Sequence, residues 1–306
     1  MESLSFREYL AKQRFKPATI NTYEKYLEHY QKWLNQTQRT CIEPVEIKPE
    51  NIQYTDLLDY LKHCYSLELK SGYINHLLTA IRHYYEYLKK LKQVENNPAS
   101  GLFIKGTVRR LPHDLLSEKQ LEAIFETYTT KSTCGLSFLA FKRNKVMLGL
   151  MIYQGLSVLD MQRLEPLHLH LRKGKIDVPK TAKTNARTLK LEAHQLIDLQ
   201  EYQSQIRPLI LQLTGKTTSH LFTSLGQSEN LRNSVDKIIK KIKKEHDFVK
   251  DIKQLRQSRI ALWTKQHDIR QAQYLAGHKY VSSTERYEKT NLEDLQKELN
   301  KHHPLG

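Results

Sequence analysis

The stretch YLAGHKYVSSTERYEKT, Tyr274 to Thr290, sets His278 nine residues ahead of Tyr287. A tyrosine hydroxyl has a pKa of about 10 and is a poor nucleophile at neutral pH. To attack, it needs fixed cations or a proton acceptor beside it. Three further segments offer such groups: QGLSVLDMQR with Asp160 and Arg163, PKTAKTNARTLKL with Lys183 and Arg187, and KDIKQLRQSR with Lys253 and Arg256. The planar fork of Arg256 suits two oxygens of a phosphate. His278 is suited to donate to a third oxygen or to manage the tyrosine proton, and Lys183 to protonate a departing oxygen. The reaction that needs such a set is attack on a phosphodiester, where negative charge grows on a crowded five-coordinate phosphorus. Singly, each residue has an ordinary reading: a half-buried aromatic, a turn histidine, a solvated lysine, an ion-paired arginine.

The bulk charge points the same way. Forty-nine Lys and Arg against 33 Asp and Glu give a formal charge of +16, a field that attracts polyanions, of which nucleic acid is the commonest. The charge is concentrated in KKLK (Lys89 to Lys92), KGTVRR (Lys105 to Arg110) and KKIKK (Lys240 to Lys244). The three cysteines, Cys41, Cys64 and Cys134, are odd in number and far apart, which fits neither a disulfide framework nor a zinc site. The N-terminus has no apolar stretch for export, and the most apolar run, VMLGLMIY, is too short for a bilayer. A cytoplasmic location is expected, with no membrane, metal or cofactor.

The elements that must hold these residues are mostly helical. Ile20, Tyr23, Leu27, Tyr30 and Leu34 form one apolar stripe from Thr19 onward. A second stripe, Ile74, Leu77, Leu78, Ile81, Tyr84 and Leu88, follows Ser71 as a plausible N-cap, and TDLLDYLKHCY is a shorter helix between them. Pro98, Gly101, Gly106 and Pro112 then break the periodicity. The expected organisation is a helical domain over residues 1–100, a linker over 101–112 and a second domain over 113–306. The second domain opens with Ser117 and Gln120 in capping-box spacing, continues into the buried helix KRNKVMLGLMIYQGL, and contains a β-hairpin over KIDVPKTAKTNARTLKL. Helices dominate from SENLRNSVDKIIKKIKK to the end. No internal repeat is present.

In this order and spacing the four segments resemble the tyrosine recombinase, or phage integrase, family in its short Xer-like form, and within it the integrases of bacterial mobile elements. That family carries Leu-x-Gly-His followed by Ser-x-x-Thr-x-x-Tyr. The resemblance implies Tyr287 as nucleophile, with Arg256, His278, Lys183 and Lys253, the last at a histidine position, as its catalytic partners. It implies a mainly α fold with a small antiparallel β-hairpin or sheet, in which a helical core-binding domain and a catalytic domain close as a C-shaped clamp on duplex DNA. Strand cleavage through a 3′-phosphotyrosyl bond, rejoining by a partner strand, a monomer when free and a homo-tetramer on specific recombination sites are further implications. DNA contacts are expected from Lys16, Thr19, Arg82, Lys105, Arg109, Arg110, Lys240 and Lys241.

The sharpest departure from the pattern lies in the first segment. Where the family has Thr-Gly-Leu-Arg and then an acid, this chain has QGLSVLD, so Asp160 is the acid and Ser157 stands in place of the first catalytic arginine. A serine has no guanidinium charge, and loss of one fixed donor typically costs ~3 kcal/mol at a transition state. Three explanations stand open: Arg163 or Arg187 supplies the cation, the enzyme is slow, or the chain binds DNA without chemistry. The first is preferred. A type IB topoisomerase shares the chemistry without tetramer assembly; Leu292, Leu295 and Leu299 in the tail form a stripe suited to docking on a neighbour. A helical transcription regulator is the rival outside catalysis.

Overall fold

The computed structural model describes residues 4–40, 49–105, 114–129, 132, 135–226 and 230–288. The chain divides into two compact units, Met1–Val108 and Arg109–Gly306. Arg109, Arg110, Cys41, Cys134 and the tail leucines Leu292, Leu295 and Leu299 lie outside the described residues.

The first unit is helical. It opens with α1 (Phe6–Lys12), which the apolar pattern did not reveal: Ser5 and Glu8 form a reciprocal capping box that starts it. α2 (Pro17–Thr40) begins on a proline, whose fixed φ suits the first turn, two residues before the expected start. α3 (Tyr54–Ser66) and α4 (Ser71–Lys90) complete the unit. Lys70 is the N-cap of α4, so Ser71 is its first helical residue and not the cap. The buried stripe of α4 runs from Ile81 to Tyr85, a step of four, and not to Tyr84. Tyr84 lies on the flank, edge-on to Phe6 at 5.6 Å. Tyr85 reaches the core, where its hydroxyl and that of Tyr30 are hydrogen-bonded at 3.1 Å, which satisfies both buried phenols.

The chain after α4 stays fastened to it as far as Ile104. Arg82 donates to the carbonyls of Ala99 and Leu102 at 3.3 and 2.9 Å. The amide of Asn75 brackets Ile104, donating to its carbonyl at 3.0 Å and accepting from its N–H at 2.8 Å. Arg82 thus holds this return segment with its guanidinium.

The second unit begins with the expected capping box, Ser117 with Gln120, at the head of α5 (Glu118–Thr127). α6 (Gly135–Tyr153) carries Lys142, Arg143, Asn144 and Lys145 at its middle and is apolar and buried from Val146 to Ile152, as the core-facing half of a central helix must be. A single-turn helix, α7 (Val158–Met161), leads to an antiparallel sheet of β1 (Leu169–His170), β2 (Lys175–Val178) and β3 (Arg187–Lys190) in the order β1-β2-β3. The hairpin was expected and β1 was not; a two-residue strand is too short to show alternation. In the β2–β3 register Ile176 faces Leu189 and Val178 faces Arg187, so Arg187 enters the inward, buried row.

α8 (Ala193–Glu201), a π-helical stretch over Tyr202–Ile206, α9 (Arg207–Thr214) and α10 (Arg232–Glu245) follow. α11 (Ile252–Gln266) starts at an Asp251 cap, whose carboxylate accepts from the Gln254 N–H at 2.9 Å. α12 (Ile269–Ala276) ends at Gly277 in the left-handed region, φ +69°. Residues 282–288 are helical again. Among the described residues no helix is long and apolar enough to cross a membrane.

Candidate active site

The site is organised on Asp160, whose side chain is fully buried. Ser157 caps α7: its hydroxyl and N–H both donate to Asp160 Oδ2, at 2.8 and 2.9 Å, and the Asp160 N–H returns a bond to Ser157 Oγ at 3.2 Å. Thr184 donates to the other carboxylate oxygen at 3.0 Å. Two guanidinium groups complete the shell, Arg187 Nη2 at 3.5 Å and Arg256 Nη1 at 3.8 Å from Oδ2. Burial pushes the Asp160 carboxyl up, but Arg187, Arg256 and the Ser157 donors outweigh it and hold the group below the usual carboxylate range. It is therefore ionised at neutral pH.

Arg256 projects from α11, one turn beyond its cap. It donates to the carbonyls of Gly155, just after α6, and Ala276, the last residue of α12, the latter at 2.7 Å. Two carbonyls and a carboxylate fix the plane of the fork. Its side chain keeps 17% of its surface exposed, so it still faces outward.

The turn after α12 sets His278. Gly277 accepts from the Asn185 N–H at 2.8 Å, and Thr184 and His278 form an isolated antiparallel bridge, so the β2–β3 connection and the His278 turn are stitched together. His278 Nδ1 is hydrogen-bonded to the buried Thr284 hydroxyl at 2.9 Å. The imidazole stacks over the Tyr287 ring, centroids 6.1 Å apart and planes 23° apart. Tyr287 itself is buried, in an apolar cluster with Ile260, Ala261, Trp263, Ala272 and Ala276, and the Arg286 guanidinium stands 5.8 Å over its ring. Burial, then Arg256, Arg286 and Arg187, press the His278 pKa down to about 4. Burial raises the Tyr287 phenol, against the pull of Arg286 and Arg256.

Lys183 is exposed in the β2–β3 connection. The Thr181 hydroxyl accepts from the N–H groups of Lys183 and Thr184 at 3.1 and 3.0 Å, folding a tight turn beneath the lysine. Lys253 is exposed in the first turn of α11. Of the two cations considered for the position held by Ser157, Arg187 lies against Asp160, whereas Arg163 is exposed and donates to the Lys180 carbonyl at 3.0 Å.

The residues expected on DNA differ in exposure. Lys16 is exposed and Thr19 half-buried at the start of α2; Lys105 and Lys240 are exposed. Lys241 turns inward, over the rings of Tyr128 at 4.7 Å and Phe141 at 5.4 Å, with its ammonium on the Thr129 carbonyl. Among the described residues no three His, Cys, Asp or Glu side chains gather as a metal site. Thr181, Thr184 and Arg286 were not singled out in the sequence, and Thr284 entered only through the family pattern Thr-x-x-Tyr. The Ser-x-x-Asp spacing at 157–160 is a capping-box signature and was legible as such.

Residues 114–293, which span Asp160, Arg256, His278 and Tyr287, match the phage integrase family, and residues 4–92 match the phage integrase N-terminal SAM-like domain. The chain belongs to the phage integrase family of tyrosine recombinases. Among family members, the tyrosine recombinase XerC of Pelotomaculum thermopropionicum is 26% identical over 295 residues, covering 94% of this chain and 92% of that protein. The tyrosine recombinase XerD of Vibrio cholerae is 25% identical, covering 94% and 90%. Among solved structures, the XerH site-specific recombinase in a post-cleavage complex with a palindromic difH substrate superposes with a TM-score of 0.71 at 18% identity, covering 91% of this chain and 78% of that one. A lambda integrase dimer bound to a core site superposes at 0.61 and 15% identity, covering 92% of each. At the position where the resemblance led to an arginine being expected, Ser157 caps α7, and the buried Arg187 stands on Asp160, the acid that follows it.

Proposed function

We propose that this recombinase cuts and rejoins double-stranded DNA at specific sites through Tyr287. The observation that carries the proposal is the convergence of Arg256, His278 and Tyr287 beside an ionised acid. Tyr287 Oη attacks phosphorus, the bond to the 5′ oxygen breaks, and a 3′-phosphotyrosyl bond forms. The proton lost by the phenol is balanced by one gained at the 5′ oxygen.

Each role follows from the geometry and charge of the group. Arg256 presents its fork to two non-bridging oxygens. His278 is neutral at working pH: with Thr284 donating to Nδ1, its proton sits on Nε2 and donates to the phosphate, while the other tautomer leaves Nε2 to accept the phenolic proton. Lys183, exposed on its turn, protonates the departing oxygen, and Lys253 adds positive charge in the first turn of α11. The bond energy is conserved in the phosphotyrosyl link, so the cycle requires neither nucleotide nor metal. Lys16, Thr19, Lys105 and Lys240, with Arg109 and Arg110, contact phosphates as the two units close on the duplex, and four protomers assemble on paired sites.

A nicked substrate that loses the short fragment beyond the cut traps the covalent intermediate as a slow adduct on a denaturing gel. Wild type is expected to form it. Tyr287→Phe, which lacks only the attacking oxygen, binds the same DNA and forms none. An adduct with the Phe variant assigns the nucleophile elsewhere, and no adduct with wild type leaves a DNA-binding protein without chemistry.

A further inference from the structure

We propose that Arg187 is a positioning residue of the cleavage step: it satisfies the negative charge of Asp160, so that Arg256 offers the scissile phosphate a positive charge that its own acid does not cancel. The proposal rests on Tyr287 being the nucleophile.

The burial of the three groups separates their tasks. Arg187 and Asp160 have no exposed side-chain surface, whereas Arg256 keeps 17% of its own. In this conformation Arg256 is able to touch a phosphate and Arg187 is not. Charge does the rest. Arg256 and Asp160, 3.8 Å apart, would sum to zero when seen from a phosphate. A second arginine at 3.5 Å from the same carboxylate oxygen returns the cluster to a net +1. In a chain with serine at 157, that buried cation keeps the remaining catalytic arginine electrostatically active without itself binding DNA.

The packing around Arg187 is costly to maintain. Its Nε is buried with no hydrogen-bond partner, a loss that local packing alone does not reward. Gly277 makes the room: a Cβ there would stand 2.5 Å from Arg187 Nη1. Through this contact the guanidinium also lies under the turn that presents His278. The other cations are placed differently. Arg163 is on the Lys180 carbonyl, Lys183 and Lys253 point into solvent, and Arg286 stands over the Tyr287 ring.

The test is single-turnover cleavage of the nicked substrate by full-length wild type, Arg187→Met, Arg187→Lys and the Asp160→Asn/Arg187→Met pair, with DNA affinity and melting temperature measured alongside. Arg187→Met is expected to bind normally and cleave about a hundredfold more slowly, the size of a misplaced-group effect. The double variant, which again leaves Arg256 uncancelled, is expected to recover at least about tenfold of that loss. The groups facing Asp160 are Ser157 from α7, Thr184 from the hairpin, Arg187 from β3 and Arg256 from α11; His278, which Arg187 helps to lower, shifts alike in Arg187→Met and in the double variant. The deficit of Arg187→Met relative to the double variant therefore shrinks as pH falls and the carboxylate takes up a proton. A packing role predicts a deficit that is constant with pH and not recovered by the pair, and either result overturns the proposal, as does wild-type cleavage by Arg187→Met. If Arg187→Met melts below the assay temperature, Arg187→Lys decides: near-wild-type cleavage supports the charge role and a hundredfold loss overturns it. An absent adduct in wild type would instead sink the assignment of Tyr287.

Discussion

His278 is held neutral by its surroundings, with a pKa of about 4 against an ordinary value of 6.5. In the unfolded chain the imidazole protonates first as pH falls. The folded state therefore loses stability from about pH 6.5 downward, by roughly 3 kcal/mol once both forms are protonated below about pH 4. His278→Gln removes this titration, so its urea midpoint is expected to fall less than that of wild type between neutral pH and pH 4.5. Ser157→Ala tests the cap: loss of a side-chain N-cap costs about 1 kcal/mol, a drop of roughly 2–4 °C in the melting temperature of a unit this size. The spacing of Gly-His and Tyr singled out His278 and Tyr287, and the KDIKQLR segment singled out Arg256; the structure brings the three together. The sequence did not distinguish Arg163 from Arg187. Which one reaches Asp160 depends on the pairing of β3 with β2, which turns Arg187 inward, and on the Lys180 carbonyl that occupies Arg163. Neither is a property of local sequence.

At the scale of elements, the joint between α12 and the β2–β3 connection is the most exacting. It has a left-handed Gly277, a main-chain bond to Asn185, and a bond from the Thr188 N–H to the Tyr274 hydroxyl at 3.0 Å. Gly277→Ala places a methyl group against Arg187 and forces a non-glycine residue to φ +69°. It is expected to cost about 2–4 kcal/mol and to abolish the adduct while the circular dichroism of the helices persists. The long helices were legible because three- and four-residue periodicity sustained over several turns has no other common cause. The short elements were not: α1 is two turns started by a cap, and β1 has two residues. The return segment through Ile104 read as a linker because Pro and Gly break periodicity whether or not the chain is packed; its anchors, Arg82 and Asn75, lie on α4.

For the whole molecule, the +16 charge makes ionic strength the main control of affinity. The logarithm of the DNA association constant is expected to fall by about 0.9 per phosphate contact for each unit of log salt. A fluorescence anisotropy titration that gives the same affinity at low and moderate salt would exclude a charged interface of several contacts. Each unit carries its own buried apolar cluster, so residues 1–105 and 114–306 expressed separately are expected to fold, and each to bind the site more weakly than the intact chain.

The chain has seventeen tyrosines, and an electrophilic nitrating reagent sorts them by how readily each phenolate forms in contact with solvent. Tyr280, 72% exposed, and the half-exposed Tyr54, Tyr65 and Tyr274 stand open to it. Tyr287 is 3% exposed, with its phenol raised by burial, so in the DNA-free protein it is expected among the last to be modified. The residue proposed as the nucleophile at a bound phosphate is thus, at rest, among the least reactive of its kind, and on that proposal a recombinase stored without DNA is protected from stray electrophiles at the one oxygen it cannot lose.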